Sequence, residues 1–383
     1  MELLKGLDAE KVSIITPDDG MHYFFGYYDM RASQGSKHLC HRVAFMDRLP
    51  TASDVAELGY LENGVFTPFA TTTAWNFQQG AMLQYHPIRP DTVYYNICQD
   101  GNFCTVTHNY VTGEKRFTDR ATACISPDGK WGLAINFGRI FAFRPGYGYA
   151  GFHDEFENVN APTQDGVFLV DMETGSSSQI VDYQALSLIA GFSLKDKILI
   201  NHITFNTTSD RFLMLVRNIK ESGGWSSSVV IADLEGNCHC ILANTFFSHY
   251  YWLDAEDLVA YCTEDGRKSM YRINSTTGAY LEYDMPYFRE MGNRDIHCIL
   301  SPSGNYIIGD GYPLDGYRRI MAYSLNTGES RCLLEARTVK PSTSDIRCDL
   351  HVRFIQGGKF ISFDTTHNDR RQIAIFPTYS LDF

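Results

Sequence analysis

Four of the twelve histidines, His202, His249, His297 and His351, recur at intervals of 47, 48 and 54 residues. Each leads an alternating apolar run, in NHITF, SHYYW, IHCIL and LHVRF, so one imidazole heads a strand at a repeated position. Neutral imidazoles converging on one point can hold a divalent metal, and one of them can act as a base near neutral pH. The plainer alternative is that they hydrogen-bond carbonyls of the neighbouring repeat and fill a polar throat. No short His-x-His or His-x-x-x-His spacing reinforces the metal reading.

Around the last of these histidines, Arg347, Asp349 and Arg353 fall within seven residues. A guanidinium fork suits a substrate carboxylate, and strand alternation places His351 and Arg353 on the same face. Two arginine pairs, Arg318-Arg319 and Arg370-Arg371, lie 52 residues apart and hence at matching repeat positions, where they could bind anions or be solvated loop residues. The segments WNFQQG, with Trp75 and Gln79, and HYFFGYYD, with Tyr28, mix aromatics with amides and a carboxylate. Such a mix can stack on and hydrogen-bond a sugar ring, or seal one repeat against the next. Tyr147 and Tyr149 carry the same two readings.

Two punctuation marks recur about every 50 residues, a period that belongs to propeller blades. One is a turn between strands, as in Ser126-Pro-Asp-Gly129 and Ser301-Pro-Ser-Gly304; the other closes an outer hairpin, as in Glu173-Thr-Gly175 and Asn326-Thr-Gly328. Counting from these marks predicts an all-β chain forming one seven-bladed β-propeller, with blades near 22–64, 78–117, 121–182, 199–243, 248–283, 296–335 and 349–377. The run from Val12 to Thr16 is expected to supply the fourth strand of the last blade and close the ring. The segment 137–164 interrupts blade three and reads as a lid-like insertion over one face.

Composition limits the partners. A net charge of −12 argues against a sequence-independent grip on nucleic acid or an anionic membrane. Ten scattered cysteines without a Cys-x-x-Cys pair read as free thiols of a reducing compartment, and the N-terminus lacks the apolar run of a secretory signal, so a cytoplasmic location is expected. No phosphate-binding glycine loop, serine-hydrolase elbow or zinc-spaced cysteine cluster is present.

With these segments laid out, the chain resembles the β-propeller polysaccharide lyases. The oligogalacturonate lyases are nearest in layout and the ulvan lyases more distant. GYYD at 26–29, WNFQQG at 75–80, HITF at 202–205, SHYYW at 248–252, IHCILSPSG at 296–304 and RCDLHVRF at 347–354 carry the likeness, which runs from Tyr23 to Phe376. It implies a uronate-containing oligosaccharide as substrate and a divalent metal, manganese foremost, at the propeller axis. By blade position His297 and His351 would be ligands and His249 the base, with His202 as the other histidine able to take the proton and a lid tyrosine, Tyr149, assisting. The family's second ligand histidine in the last blade falls on Arg353 and its glutamine ligand has no counterpart, Cys348 standing there instead. Arg353 would then neutralise the substrate carboxylate in place of part of the metal charge, as arginine does in the ulvan lyases, with Arg347, Asp349, Arg370 and Arg371 binding substrate alongside Trp75, Gln79 and Tyr28. The chemistry implied is β-elimination. Hydrolysis of a glycoside, or binding of glycans or proteins without turnover, are the alternatives.

Overall fold

The computed structural model describes residues 2–285, 288, 290 and 295–381. Seven antiparallel sheets follow one another along the chain, each a blade. Blade four illustrates why the sequence folds this way. Its strands Lys197–Phe205, Arg211–Ile219, Trp225–Asp233 and Cys238–Thr245 pass from the axis outward. The two middle strands are buried on both faces between neighbouring blades, so they read as continuous apolar runs, while the outermost is half-exposed. The core is therefore a set of seams between blades. In one of them Leu213, Leu215, Val229 and Ile231 of blade four meet Tyr250, Trp252 and Leu258 of blade five, each fully buried side chain contributing about 1.5–3 kcal/mol.

The blade boundaries differ from the sequence expectation at two places. Blade one does not end at residue 64: Asn63 and Gly64, both with positive φ, form a hairpin into a further strand, Val65–Thr72. Residues 75–80 are not the start of blade two, whose first strand is Gln84–Tyr85; they form a loop closed by a bridge between Asn76 and Gly80. Two N-terminal strands add to blades already made by the C-terminal half. Leu4–Lys5 pairs with Ser330–Arg337 of blade six, and Ser13–Ile14 pairs with Gln372–Pro377 of blade seven.

The chain from 137 to 165 leaves blade three between its second and third strands, Trp131–Ala134 and Gly166–Asp171. It is not irregular throughout: Phe137–Phe143 is an α-helix whose N-cap Asn136 accepts the Arg139 N–H. Its return limb docks on the turn Ser344–Ile346 that leads into blade seven, where Gly146 N–H reaches Asp345 Oδ1 at 3.3 Å, and on the 75–80 loop, where Asn76 Nδ2 donates to Gly148 O at 3.3 Å. All ten cysteines are free, five buried and five half-buried. Among the described residues no helix is long and apolar enough to cross a membrane.

Gly80 fixes how the loop meets blade one. It has φ +61°, and a Cβ there would lie 2.2 Å from His41 Cε1. That imidazole is itself held, accepting the Ala81 N–H at 2.9 Å through Nε2 and sitting against Phe24. Gly80→Ala is accordingly expected to cost about 1–3 kcal/mol in chemical denaturation, from backbone strain alone.

Candidate active site

The site forms where the first strands of blades four to seven reach the axis. In blade four the pairing skips from Ile200 to His202, leaving Asn201 as an extra residue. In blade five a similar irregularity lies between Phe247 and Tyr250, at Ser248 and His249. Such bulges re-aim side chains, here two of the repeated histidines. His297 opens the strand His297–Leu300, opposite Asp310. His351 stands two residues before the strand Arg353–Ile355, with φ +44°, a left-handed conformation costly for a residue with a Cβ.

Two buried carboxylates hold this region. Asp310 accepts the Leu350 and His351 N–H groups at 2.9 Å each, which offsets the strain at His351. One blade further on, Asp364 accepts the Phe25 and Gly26 N–H groups at 3.2 and 3.1 Å and pairs with Arg353 at 2.7 Å. The two aspartates are 54 residues apart, as His297 and His351 are, so the same latch fastens consecutive blades. Gly26 has φ +114°, and a Cβ on it would meet Gln79 C at 2.9 Å. Glycine there lets GYYD lie against the 75–80 loop and brings Tyr27 and Tyr28 under the histidines. The Tyr27 ring stacks on His202 at 5.2 Å, and Tyr28 lies 5.6 Å from His297.

The histidine rings form a row, His249 to His297 at 3.9 Å and His297 to His351 at 4.5 Å between centroids. Burial holds His202, His297 and His351 well below the ordinary imidazole value, so each is neutral at physiological pH. His351 donates Nδ1–H to Gly26 O at 2.7 Å, which leaves the Nε2 lone pair free of any hydrogen bond. That nitrogen and His297 Nε2 lie 3.9 and 3.8 Å from Asp349 Oδ2. Burial pushes the Asp349 carboxyl up, but Arg318 at 2.6 Å and Arg347 at 2.7 Å outweigh it and keep the group ionised. Both contacts are close ion pairs skewed from hydrogen-bond alignment, so neither oxygen of Asp349 has a hydrogen-bond donor.

His297, Asp349 and His351 could hold a metal ion, their ligand atoms all lying within 4.8 Å of one another. The spacing, 3.8 and 3.9 Å for the two histidine–carboxylate pairs and up to 4.8 Å within the set, is wider than the roughly 3.0–3.5 Å that bonds of about 2.1 Å impose, so the side chains would have to draw in around an ion. Two imidazoles and a carboxylate suit manganese, zinc or iron alike. The unpartnered Nε2 of His351 and the ionised Asp349 make the residues present a fit for such an ion, which would share Asp349 with Arg318 and Arg347.

Beside the row lies a cleft of about 430 Å³, lined among others by Tyr147, His202, Arg217, His249, Asp295 and Tyr312. His249 Nδ1 is 2.8 Å from Asp295 Oδ1. Burial pushes the Asp295 carboxyl up, yet His249 more than compensates and keeps it below its usual value. With Nδ1–H directed at a carboxylate, Nε2 of His249 is the nitrogen able to accept a proton. Arg217 is buried against Trp225, and its Nε lacks a partner. Burial brings it to about 10, which leaves it charged at neutral pH.

Several residues singled out in the sequence take other places. Trp75 is fully buried, its Nε1 donating to Asp54 O at 2.8 Å and its ring packed on Phe24, Phe45 and Phe77, so it cannot stack on a sugar. Tyr149 is equally buried, stacked on Phe137 at 4.2 Å with its hydroxyl on Asn96; Tyr147 is the insertion's tyrosine in the cleft, accepting from Arg347 Nη2 at 2.7 Å. Arg353 shares Gly26 O with His351, although His351 lies outside the strand with a left-handed backbone and not in alternation with it, and the Arg353 charge is committed to Asp364. Arg371 binds the carbonyls of Ile346 and Arg347 at 2.6 and 2.7 Å, which positions Arg347 from behind, while Arg370 pairs with Asp18 at the surface. Gln79 reaches His202 Nδ1 at 3.4 Å, and Tyr28 donates to Tyr250 O at 3.0 Å. Asp295 and Arg217 escaped the sequence reading. The first lies two residues before His297, where the RDIH spacing was a usable signal; the second directly follows the apolar run Phe212–Val216, where it reads as a strand end.

Loss of the Tyr147 hydroxyl removes a hydrogen bond to a charged group worth about 1.5–3 kcal/mol. Tyr147→Phe should therefore weaken the site roughly tenfold or more, read as kcat/KM on any substrate found, whereas Tyr149→Phe should leave kcat/KM within about twofold.

Fold and site together define a seven-bladed β-propeller with a polar cleft, lined by His202 and His249, beside a row of buried histidines. Among solved structures it is similar to an oligogalacturonate lyase in complex with manganese, at TM-score 0.68 and 15% identity over 97% of this chain and 94% of that one. The oligogalacturonate lyase of Vibrio parahaemolyticus gives TM-score 0.67 and 14% identity, covering 98% and 96%. The propeller domain of the trilobed protease from Pyrococcus furiosus follows at 0.51 and 9%, covering 92% and 96%. At these identities the likeness is one of fold. No family model and no curated protein matches the chain in sequence.

Proposed function

We propose that this protein is a carbon–oxygen lyase that cleaves uronate-containing oligosaccharides by β-elimination in the axial cleft. The observation that carries this reading is the pairing of an Asp295-held His249 with the His297–Asp349–His351 donor set, 3.9 Å away between rings, in a propeller whose full-length likeness is to oligogalacturonate lyases. His249 Nε2 takes the proton from the carbon bearing the carboxylate. The glycosidic oxygen on the adjacent carbon then departs with its bonding electrons, leaving a carbon–carbon double bond and receiving a proton. The proton on carbon is barely acidic while the carboxylate keeps its charge, so the site must neutralise that charge as the intermediate forms. Arg217 is a buried cation lining the cleft and suits this task, and Arg347 is held by Asp349 and by Tyr147 of the same cleft. A divalent metal bound by His297, Asp349 and His351 would supply Lewis-acid stabilisation of the same charge.

Metal binding is testable without turnover. Manganese titrated calorimetrically into metal-stripped protein should bind with one equivalent, and Asp349→Asn or His351→Ala should weaken that binding by more than about 10-fold. Unchanged affinity in both variants would remove the metal from this cluster. The reaction type is read from product masses. Elimination splits an oligosaccharide into fragments whose masses sum to that of the substrate; hydrolysis adds one water and would contradict the proposal.

A further inference from the structure

Beyond the tyrosine pair the propeller axis is hollow. A channel of about 160 Å³ extends from His202 and Gln79 to Pro127 and Thr207, which lie in the turns at the opposite face. Its volume is roughly ten times what one water needs, the scale of a single sugar ring with its hydroxyls. Its polar groups are underused. Asp29 is exposed only because this space lies in front of it, and it makes no hydrogen bond or ion pair with another side chain among the described residues. Arg31 spends Nε on Tyr85 O at 2.8 Å, and its buried Nη2 has no partner. Asn201, the extra residue of the blade-four bulge and 2% exposed, gives its oxygen to Arg144 and leaves Nδ2 unpartnered.

These groups select a class of ligand. The charges of Asp29 and Arg31 cancel and His202 is neutral, so a charged ligand would bring an uncompensated charge into a confined site. A hydroxyl-rich ligand, by contrast, can donate to Asp29 through one hydroxyl and accept from Arg31 or Asn201 through others. Tyr27, Tyr250, Tyr251 and Trp252 supply apolar ring surface along the same wall. We propose that the axial channel is a second ligand site, meeting the histidine cleft only at His202, which takes one neutral, hydroxyl-rich molecule of monosaccharide size. The proposal does not depend on the reaction performed in the cleft.

The test is calorimetric titration of the full chain with galactose and xylose, with galacturonate as the charged control, in the wild type and in His249→Ala, Asp29→Asn and Ala123→Phe. Ala123 lines the channel, and a phenyl ring there would fill it. At least one neutral sugar should bind with one equivalent, unaffected by His249→Ala, about tenfold or more weaker in Asp29→Asn, and undetectable in Ala123→Phe. Should Ala123→Phe lack a cooperative melt, Asp29→Asn carries the test by itself. Absence of binding by both neutral sugars would overturn the proposal and leave the channel to water. So would binding that survives Asp29→Asn and vanishes in His249→Ala, which would place the sugar in the cleft.

Discussion

Replacing His249 by alanine should lower turnover of a uronate oligosaccharide by about 10²–10⁴-fold, the usual contribution of a positioned base, while the melting temperature stays near that of the wild type. The side chain is at the cleft edge of blade five and contributes little to the seams that hold the blades, so loss of activity would not be loss of fold. Asp295→Asn provides the graded companion. It keeps the shape but removes the charge that orients Nδ1–H at 2.8 Å, and steady-state kinetics should place it between the wild type and His249→Ala. If Asp295→Asn is as active as the wild type, the dyad does not position the base.

The second large effect concerns stability. Arg353 and Asp364 are 2% and 4% exposed and 2.7 Å apart. Arg353→Met leaves a buried carboxylate without its counter-charge, which should cost about 3–5 kcal/mol in urea denaturation. Asp364 also holds the Phe25 and Gly26 N–H groups, so activity should fall as well, through displacement of Tyr27, Tyr28 and His351. The double variant Arg353→Met/Asp364→Asn removes the stranded charge and keeps an acceptor for those N–H groups, and should recover most of the stability. If Arg353→Met instead unfolds like the wild type yet is inactive, Arg353 acts on substrate directly.

Much of this architecture was legible in the sequence, and the parts that were not have identifiable causes. Turn punctuation gave seven blades because hairpin geometry demands particular residues. The outer strand Val65–Thr72 was missed because it contains Pro68 and its face is half-exposed, so neither alternation nor propensity marks it. Repeat spacing located the four histidines, but their orientation depends on bulges at Asn201 and Ser248–His249 and on a left-handed His351, none of which period-two reasoning can express. Arg353 and His351 do meet at the Gly26 carbonyl, but the left-handed turn at His351 and not strand alternation brings them together, and Asp364 arrives from the next strand to take the Arg353 charge. Trp75 and Tyr149 show the same limit from the apolar side: composition cannot tell an aromatic that stacks on a sugar from one that seals a seam.

Elimination in the axial cleft would create a conjugated double bond, whose ultraviolet absorbance can be followed as the protein acts on a panel of uronate oligosaccharides. The proposal predicts a rising trace that His249→Ala abolishes and that chelation lowers and manganese restores. A flat trace across the panel, with shortened oligosaccharides nonetheless accumulating, would contradict it and assign the cleft to hydrolysis.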